Sequence, residues 1–206
     1  VFMNVKANQG IADLSAVKRC FFMPSAGDES TPIGACFLAY EGLCTTQNKK
    51  IITKPLRDLY LGPSFSDEHI KGVLINGGYY KKYKIKTLSH IEKEIARLLS
   101  SGEVVARMAG RMEFGARALG NRSILANPSR IDIVRMINEQ IKSRDFWMPF
   151  APTILYERMS DYVVNPKKID ASYMMVSFNS TPLAREHFKA AMHPYDFTLR
   201  PQALRK

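Results

Sequence analysis

Gly110-Arg111-Met112-Glu113-Phe114-Gly115-Ala116-Arg117-Ala118-Leu119-Gly120-Asn121-Arg122-Ser123-Ile124-Leu125-Ala126-Asn127-Pro128 is the stretch from which the fold reads outward. Three glycines and three arginines fall between Gly110 and Arg122. Glycine lets the backbone take positive φ and approach a ligand closely, and an arginine fork holds phosphate or carboxylate oxygens two at a time. The composition predicts an anion site, the plain alternative being a surface turn whose arginines are solvated. On its amino side, Glu103-Val104-Val105-Ala106-Arg107-Met108-Ala109 reads as a buried strand that delivers the loop at its carboxyl end, where α/β sheets place ligands. On its carboxyl side, Ser123 to Ala126 resumes as a strand, and Ser129 caps a helix with Ile133, Ile137 and Ile141 along one line. That alternation predicts an α/β fold.

Arg107, Arg111, Arg117, Arg122, Arg130, Arg135 and Arg144, with Lys142, crowd into fewer than forty residues, against the acids Glu113, Asp132 and Glu139. The helix pattern turns Arg130 and Arg135 to solvent and leaves Arg111, Arg117, Arg122, Lys142 and Arg144 as ligand candidates. Their task would be to hold nucleotide phosphates and stabilise charge developing in phosphoryl or nucleotidyl transfer. Neither a Walker lysine motif nor the dinucleotide glycine fingerprint is present. Asp28, in a Gly-Asp turn, is a possible metal ligand or simply a helix-cap residue. His193 and Asp196, near Arg200, either line a polar site or belong to an ordinary loop. His69, His90 and His187 lack ligand spacing and read as helix-surface residues, and Met174 and Met175 as core.

Elsewhere the pattern predicts helices over Asn4–Leu14 and Pro32–Gly42, the latter with Ile33, Cys36, Phe37 and Tyr40 on one apolar face. A strand is expected at Val17–Met23 and a linker at Thr45–Lys54. Ser66 caps a helix ended by Gly77-Gly78, and Tyr79–Leu88 reads as a strand. Ser89 and Glu92 form a capping box for a helix that Gly102 stops. Strands are expected at Phe150–Tyr156 and Tyr173–Phe178 and a short helix at Pro182–Met192, with no closing element in Leu199–Lys206.

With 206 residues the chain can form one large domain, or one domain and part of another. No apolar run approaches the roughly 18 residues of a membrane span, and the amino terminus lacks the order of a signal peptide. The expected compartment is the cytoplasm. Cys20, Cys36 and Cys44 have no paired zinc spacing and read as reduced and mostly buried. The net charge of +11 predicts an anionic partner, although Lys49-Lys50, Lys81-Lys82 and Lys167-Lys168 read as solvated loop or edge residues.

The central stretch, followed by Ile137-Asn138 and then Lys142-x-Arg144-Asp145-x-x-x-Pro149-Phe150-Ala151-Pro152, resembles the O-carbamoyltransferases, the nodulation-factor, cephamycin and tobramycin carbamoyltransferase family. Val1-Phe2-Met3-Asn4-Val5-Lys6-x-Asn8-Gln9, the Ala-Gly-Asp turn, Leu61-Gly62-Pro63-x-x-Ser66 and Asp196-x-Thr198-x-Arg200-x-Gln202 extend the likeness over nearly the whole chain. The resemblance implies the end of an actin-like domain in residues 1–55. Residues 56–206 would be a YrdC-like domain, a mixed sheet with flanking helices, incomplete at its carboxyl end.

The resemblance also implies the chemistry. The YrdC-like part would convert carbamoyl phosphate and ATP, with Mg2+ possible, into carbamoyl adenylate. The actin-like domain, its amino-terminal part missing here, would pass the carbamoyl group to the hydroxyl of a small-molecule acceptor at a bound iron. By likeness Lys142 is the adenylate-binding lysine and, with Arg144, catalytic. Arg111, Arg117, Arg122, Ser123, Asn127, His193, Asp196 and Arg200 belong to the nucleotide and phosphate pocket, and Asp28 completes the iron site of the whole enzyme. Met148 stands where many relatives have an arginine, Ala116 replaces a common proline, and the iron's histidine ligands are absent. The competing reading is a non-catalytic basic YrdC-type module that binds RNA or nucleotide. Its platform would be Tyr79, Tyr80 and Tyr83 beside Lys81, Lys82 and Lys84, which equally suit a strand edge.

Overall fold

The computed structural model describes residues 1–54, 56–145 and 147–205. Pro55, the last residue of the expected first domain, lies outside them, as do Phe146 and Lys206. Helix α1 (Val5–Asp13) opens the chain, then a 3-10 turn (Asp28–Ser30) and α2 (Thr31–Thr46). Next come α3 (Asp67–Asn76), α4 (Tyr79–Lys82), α5 (Ile91–Ser100), β1 (Val105–Met108) and β2 (Arg122–Leu125). After them run α6 (Asp132–Met136), continued by a π-helical segment (Ile137–Lys142), β3 (Thr153–Leu155), α7 (Met159–Tyr162), β4 (Val163–Val164) and β5 (Phe178–Ser180). The chain closes with α8 (Pro182–His187), a 3-10 turn (Lys189–Ala191), β6 (Thr198–Leu199) and β7 (Gln202–Leu204). The class is α/β, helices with small sheets, and the contacts gather into two compact units.

The first unit comprises Val1–Leu59, Gly115–Arg117 and the chain from Pro128 onward. Its sheets are β4-β5-β6, antiparallel, and the parallel pair β3-β7, with Phe178 opposite Leu199 and Ile154 opposite Ala203. Ile154, Val163, Val176, Phe178, Phe188 and Leu199 pack its core, and burial of such side chains from water is the main stabilising force. α1 is built into this unit by polar groups. Asn4 caps it, accepting from the Lys6 and Ala7 N–H groups. The fully buried Asn8 donates to the carbonyls of Phe2 at 2.8 Å and Met175 at 2.7 Å. At the other end the Lys167 ammonium donates to the carbonyl of Ala12, in the last turn of α1, and to those of Leu14 and Val17 just beyond it. Lys167 is therefore a capping residue rather than a solvated loop lysine.

The second unit comprises Tyr60–Phe114 and Ala118–Asn127. It holds α3, capped by the Ser66 hydroxyl, together with α4, α5 and the antiparallel hairpin β1-β2, in which Val105 faces Leu125 and Met108 faces Arg122.

Several expectations are corrected. Tyr79–Leu88 is not a strand: Gly78 at φ +65° breaks α3 and restarts a helical turn, on which the rings of Tyr79 and Tyr83, one turn apart, stack at 6.2 Å. The Ser89–Glu92 capping box does not form, because α5 begins after His90, one residue too late for Ser89 to cap. Ser129 likewise stands too far upstream of α6, which begins at Asp132. Val17–Met23 has no strand partner among the described residues and stays irregular. Cys36, Phe37 and Tyr40 of α2 are exposed, as is most of that helix, so its apolar line is not a core face here. The expected strand at Tyr173–Phe178 overlaps β5, Phe178–Ser180, only at Phe178, and the last helix stops at His187. The carboxyl end does close the fold: β6 and β7 find partners in β5 and β3, a long-range pairing that no local pattern announces.

Candidate functional site

The structure sorts the cations of the central stretch into those that hold the loop and those whose charge is left over. In the second unit, Arg107 donates to the Gly120 carbonyl at 2.6 Å and to Asn121 Oδ1 at 3.1 Å. Arg111 donates to the carbonyls of Leu61 and Gly62. Arg122 reaches the Glu113 carbonyl and lies 3.6 Å from Glu113 Oε2. Ser123 accepts from the Gly120 N–H. These groups, three of them expected in the phosphate pocket, spend these hydrogen bonds within the loop or, for Arg111, on the Leu61–Gly62 segment, and Asn127 is half-buried beside them in sequence.

The keystone is Glu113, whose side chain is fully shielded from solvent. Its Oε1 accepts the N–H groups of Leu119 at 2.8 Å, Asn121 at 2.8 Å and Arg122 at 3.0 Å. Burial raises the Glu113 pKa, but these main-chain donors win and hold the carboxyl below its ordinary value. Sequence reasoning counted Glu113 only as one acid among arginines. The signal was there, since one carboxylate inside an arginine-glycine loop is the natural acceptor for the loop's unpaired N–H groups.

In the first unit three arginines come together. Arg117, Arg144 and Arg200 are partly buried, and Arg200 lies within the fields of the other two. Burial lowers the pKa of Arg117 and of Arg144. Burial first, then the charges of Arg117 and Arg144, push Arg200 down to about 10. Arg117 has a single long hydrogen bond, to the Met3 carbonyl at 3.4 Å, and its Nε is buried without a partner. Arg144 donates to Asn138 Oδ1 at 2.6 Å and lies over the Phe150 ring at 4.7 Å. Arg200 has no hydrogen bond or acidic partner among the described residues. Three guanidinium groups gathered without a carboxylate partner among the described residues repel one another, and an oxyanion is the kind of partner such forks fit.

Asn138, fully buried, orients Arg144 and is tied in turn to the Met148 carbonyl. It was quoted only as part of a motif, yet a buried amide beside the buried Ile133 and Ile137 must have partners. Gly115 brings the Arg117 segment close to Ser25. A Cβ at Gly115, which sits at φ +92°, would clash with the Ser25 hydroxyl, and the next N–H, of Ala116, donates to that hydroxyl.

Lys142 is exposed at the end of the π-helical segment, two residues before Arg144. Asp196 is held by the Lys6 ammonium at 2.8 Å and by the N–H and hydroxyl of Thr198. Burial opposes its charge, but these donors keep its carboxyl well below the usual range. His193 Nδ1 lies 3.3 Å from Asp196 without a hydrogen bond. Asp28 is exposed, and no group of three or more His, Cys, Asp or Glu side chains that could hold a metal is found among the described residues. One carboxylate does not make an iron site. No helix of the described residues is long and apolar enough to cross a membrane.

An α/β chain with three partly buried arginines that lack an acidic partner among the described residues is the class that fold and site define. The Carbamoyltransferase C-terminus family model matches residues 96–206. The chain belongs to the carbamoyltransferase family. It is 33% identical to an uncharacterized protein of Methanocaldococcus jannaschii over all of this chain and 37% of that protein. It is 32% identical to nodulation protein NolO of Bradyrhizobium diazoefficiens over 71% of this chain and 26% of that protein. To nodulation protein U of Rhizobium tropici it is 28% identical over 93% of this chain and 30% of that protein. The chain thus spans roughly a third of the length of the curated relatives it matches.

Proposed function

We propose that this chain is part of an ATP-dependent O-carbamoyltransferase. Residues 56–206 serve as the YrdC-like part, binding carbamoyl phosphate and ATP, and residues 1–55 are the end of an actin-like domain. The observation that carries the reading is the uncompensated cluster of Arg117, Arg144 and Arg200, with the orphaned Arg117 Nε at its buried side. Its residues hold the ligand's oxyanions and take up charge as water cleaves carbamoyl phosphate to carbamate and inorganic phosphate, and as a carbamate oxygen then bonds to the α-phosphorus of ATP while the bond to departing pyrophosphate breaks. Asn138 keeps Arg144 in place, and Lys142, two residues away, adds the flexible point charge that suits a phosphate approached from solvent. The carbamoyl group of the resulting adenylate then passes to an acceptor hydroxyl.

Calorimetric titration tests this. Inorganic phosphate, carbamoyl phosphate and ATP are expected to bind the chain, and Arg117→Ala and Arg200→Ala to weaken each at least tenfold, since a charge-assisted contact contributes about 1.5–3 kcal/mol. In the full-length enzyme, Lys142→Ala is expected to abolish adenylate formation while leaving the melting temperature unchanged. Undiminished adenylate formation would remove Lys142 from the mechanism. The nucleic-acid reading retains one observation, the Tyr79–Tyr83 stack with Tyr80 and Tyr83 more than half exposed beside Lys81 and Lys82. Tighter, salt-sensitive binding of single-stranded RNA than of ATP in the same titrations would favour it.

A further inference from the structure

We infer that Ser25 is the positioning residue that holds Arg117 in the arginine cluster, an inference that rests on reading that cluster as a phosphate site. Arg144 has side-chain anchors of its own, the Asn138 amide and the Phe150 ring. Arg117 lacks them. Its guanidinium reaches only the Met3 carbonyl, at 3.4 Å, and its Nε is buried without a partner. The direction of its side chain therefore depends on how its main chain is fixed.

That main chain meets Ser25. Among the described residues, the Ala116 N–H is the one main-chain group of Gly115–Arg117 that forms a hydrogen bond, and it donates to the Ser25 hydroxyl at 3.2 Å. Gly115 admits the contact, because only a residue without a Cβ can lie so close to the Ser25 side chain. Ser25, Gly115–Arg117, Arg144 and Arg200 all belong to the first unit.

Ser25 is itself firmly held. It is 2% exposed and sits at φ +60°, a left-handed conformation that costs energy in a residue with a side chain. The Ser30 hydroxyl donates to its carbonyl, and its own hydroxyl donates to the Glu29 carboxylate. A hydroxyl has one proton and a carboxylate only accepts, so Glu29 takes that proton and leaves the Ser25 lone pairs to the Ala116 N–H. Gly27 makes room for this arrangement, since a Cβ there would overlap the Glu29 carboxylate. Burial keeps the Ser25 oxygen from a ligand, so its effect passes through Arg117.

Phosphate titrations of the 206-residue chain, followed by calorimetry, test this in a double-mutant cycle. Ser25→Ala is expected to weaken inorganic phosphate about three- to tenfold, the effect of freeing one long side chain that binding must then order again. In the Arg117→Ala background, Ser25→Ala is expected to change phosphate affinity by less than about twofold, because no guanidinium is left to position. Ser25→Gly separates positioning from stability, and decides the matter if Ser25→Ala does not fold. It also lacks the hydroxyl but relieves the left-handed strain, so it is expected to melt above Ser25→Ala and to bind phosphate just as weakly. Ser25 variants that bind phosphate as the wild type does, or that weaken it equally with and without Arg117, overturn the inference. An affinity that follows the melting temperature overturns it too. Arg117→Ala alone keeps the two readings apart: unchanged phosphate affinity there overturns the anion site and this role with it, whereas a loss with Arg117→Ala and none with the Ser25 variants overturns only the role of Ser25.

Discussion

At the scale of residues, the central stretch uses like side chains for opposite purposes. Arg107, Arg111 and Arg122 turn their donors inward onto carbonyls and Glu113, whereas Arg117, Arg144 and Arg200 keep charge that nothing among the described residues neutralises. Glu113→Ala would leave the main-chain donors of Leu119, Asn121 and Arg122 unmet. It is expected to cost about 3 kcal/mol or more in urea denaturation at pH 7. Because the folded pKa of Glu113 lies below its ordinary 4.5, its contribution is complete above that value and is lost as pH falls through the folded value. The gap between wild type and variant should therefore narrow only on acidification below about 4.5.

At the scale of elements, the glycines of the stretch are unequal. Gly115 and Gly120 both hold positive φ, but only Gly115 also lies against a neighbour, the Ser25 hydroxyl, while a Cβ at Gly120 meets nothing within 4 Å. Gly115→Ala is expected to destabilise by about 1–3 kcal/mol, and Gly120→Ala by less, since it bears the backbone strain alone. Thermal melts of the two variants give the comparison, and equal losses would show that the close approach to Ser25 contributes nothing. The elements also show why patterns mislead. The start of strand-like Tyr79–Leu88, Tyr79–Lys82, turned helical after Gly78 took the left-handed conformation, a choice invisible to residue periodicity.

At the scale of the molecule, a net charge of +11 is concentrated in part at one cluster that works against folding. Arg200 is held near 10, below the ordinary guanidinium value. Keeping it charged costs stability at every pH below the folded value, and the cost diminishes as pH rises above about 10. A bound phosphate would reverse the effect. Phosphate is expected to raise the melting temperature at pH 7 more than chloride at equal ionic strength. Arg200→Met is expected to melt higher than wild type without phosphate and to lose the phosphate-dependent increment. A variant that melts lower, or that keeps the full increment, would contradict the cluster's role.

By itself the sequence determined the α/β class, the strand-loop-strand at its centre and membership of a family, because glycine, arginine and capping residues act over a few neighbours. Helices α1 and α3 were legible for the same reason: Asn4 and Ser66 cap what immediately follows them. Only the tertiary structure decided which arginines are left free. That depends on carbonyls at Leu61 and Gly62 and a carboxylate at Glu113, and on the approach of Arg144 and Arg200 to Arg117 from distant parts of the chain. It also decided that the carboxyl end closes two sheets and that the Ala116 N–H meets the Ser25 hydroxyl. A side chain's charge is written in the sequence, but whether that charge is already satisfied is settled by groups that folding brings to it.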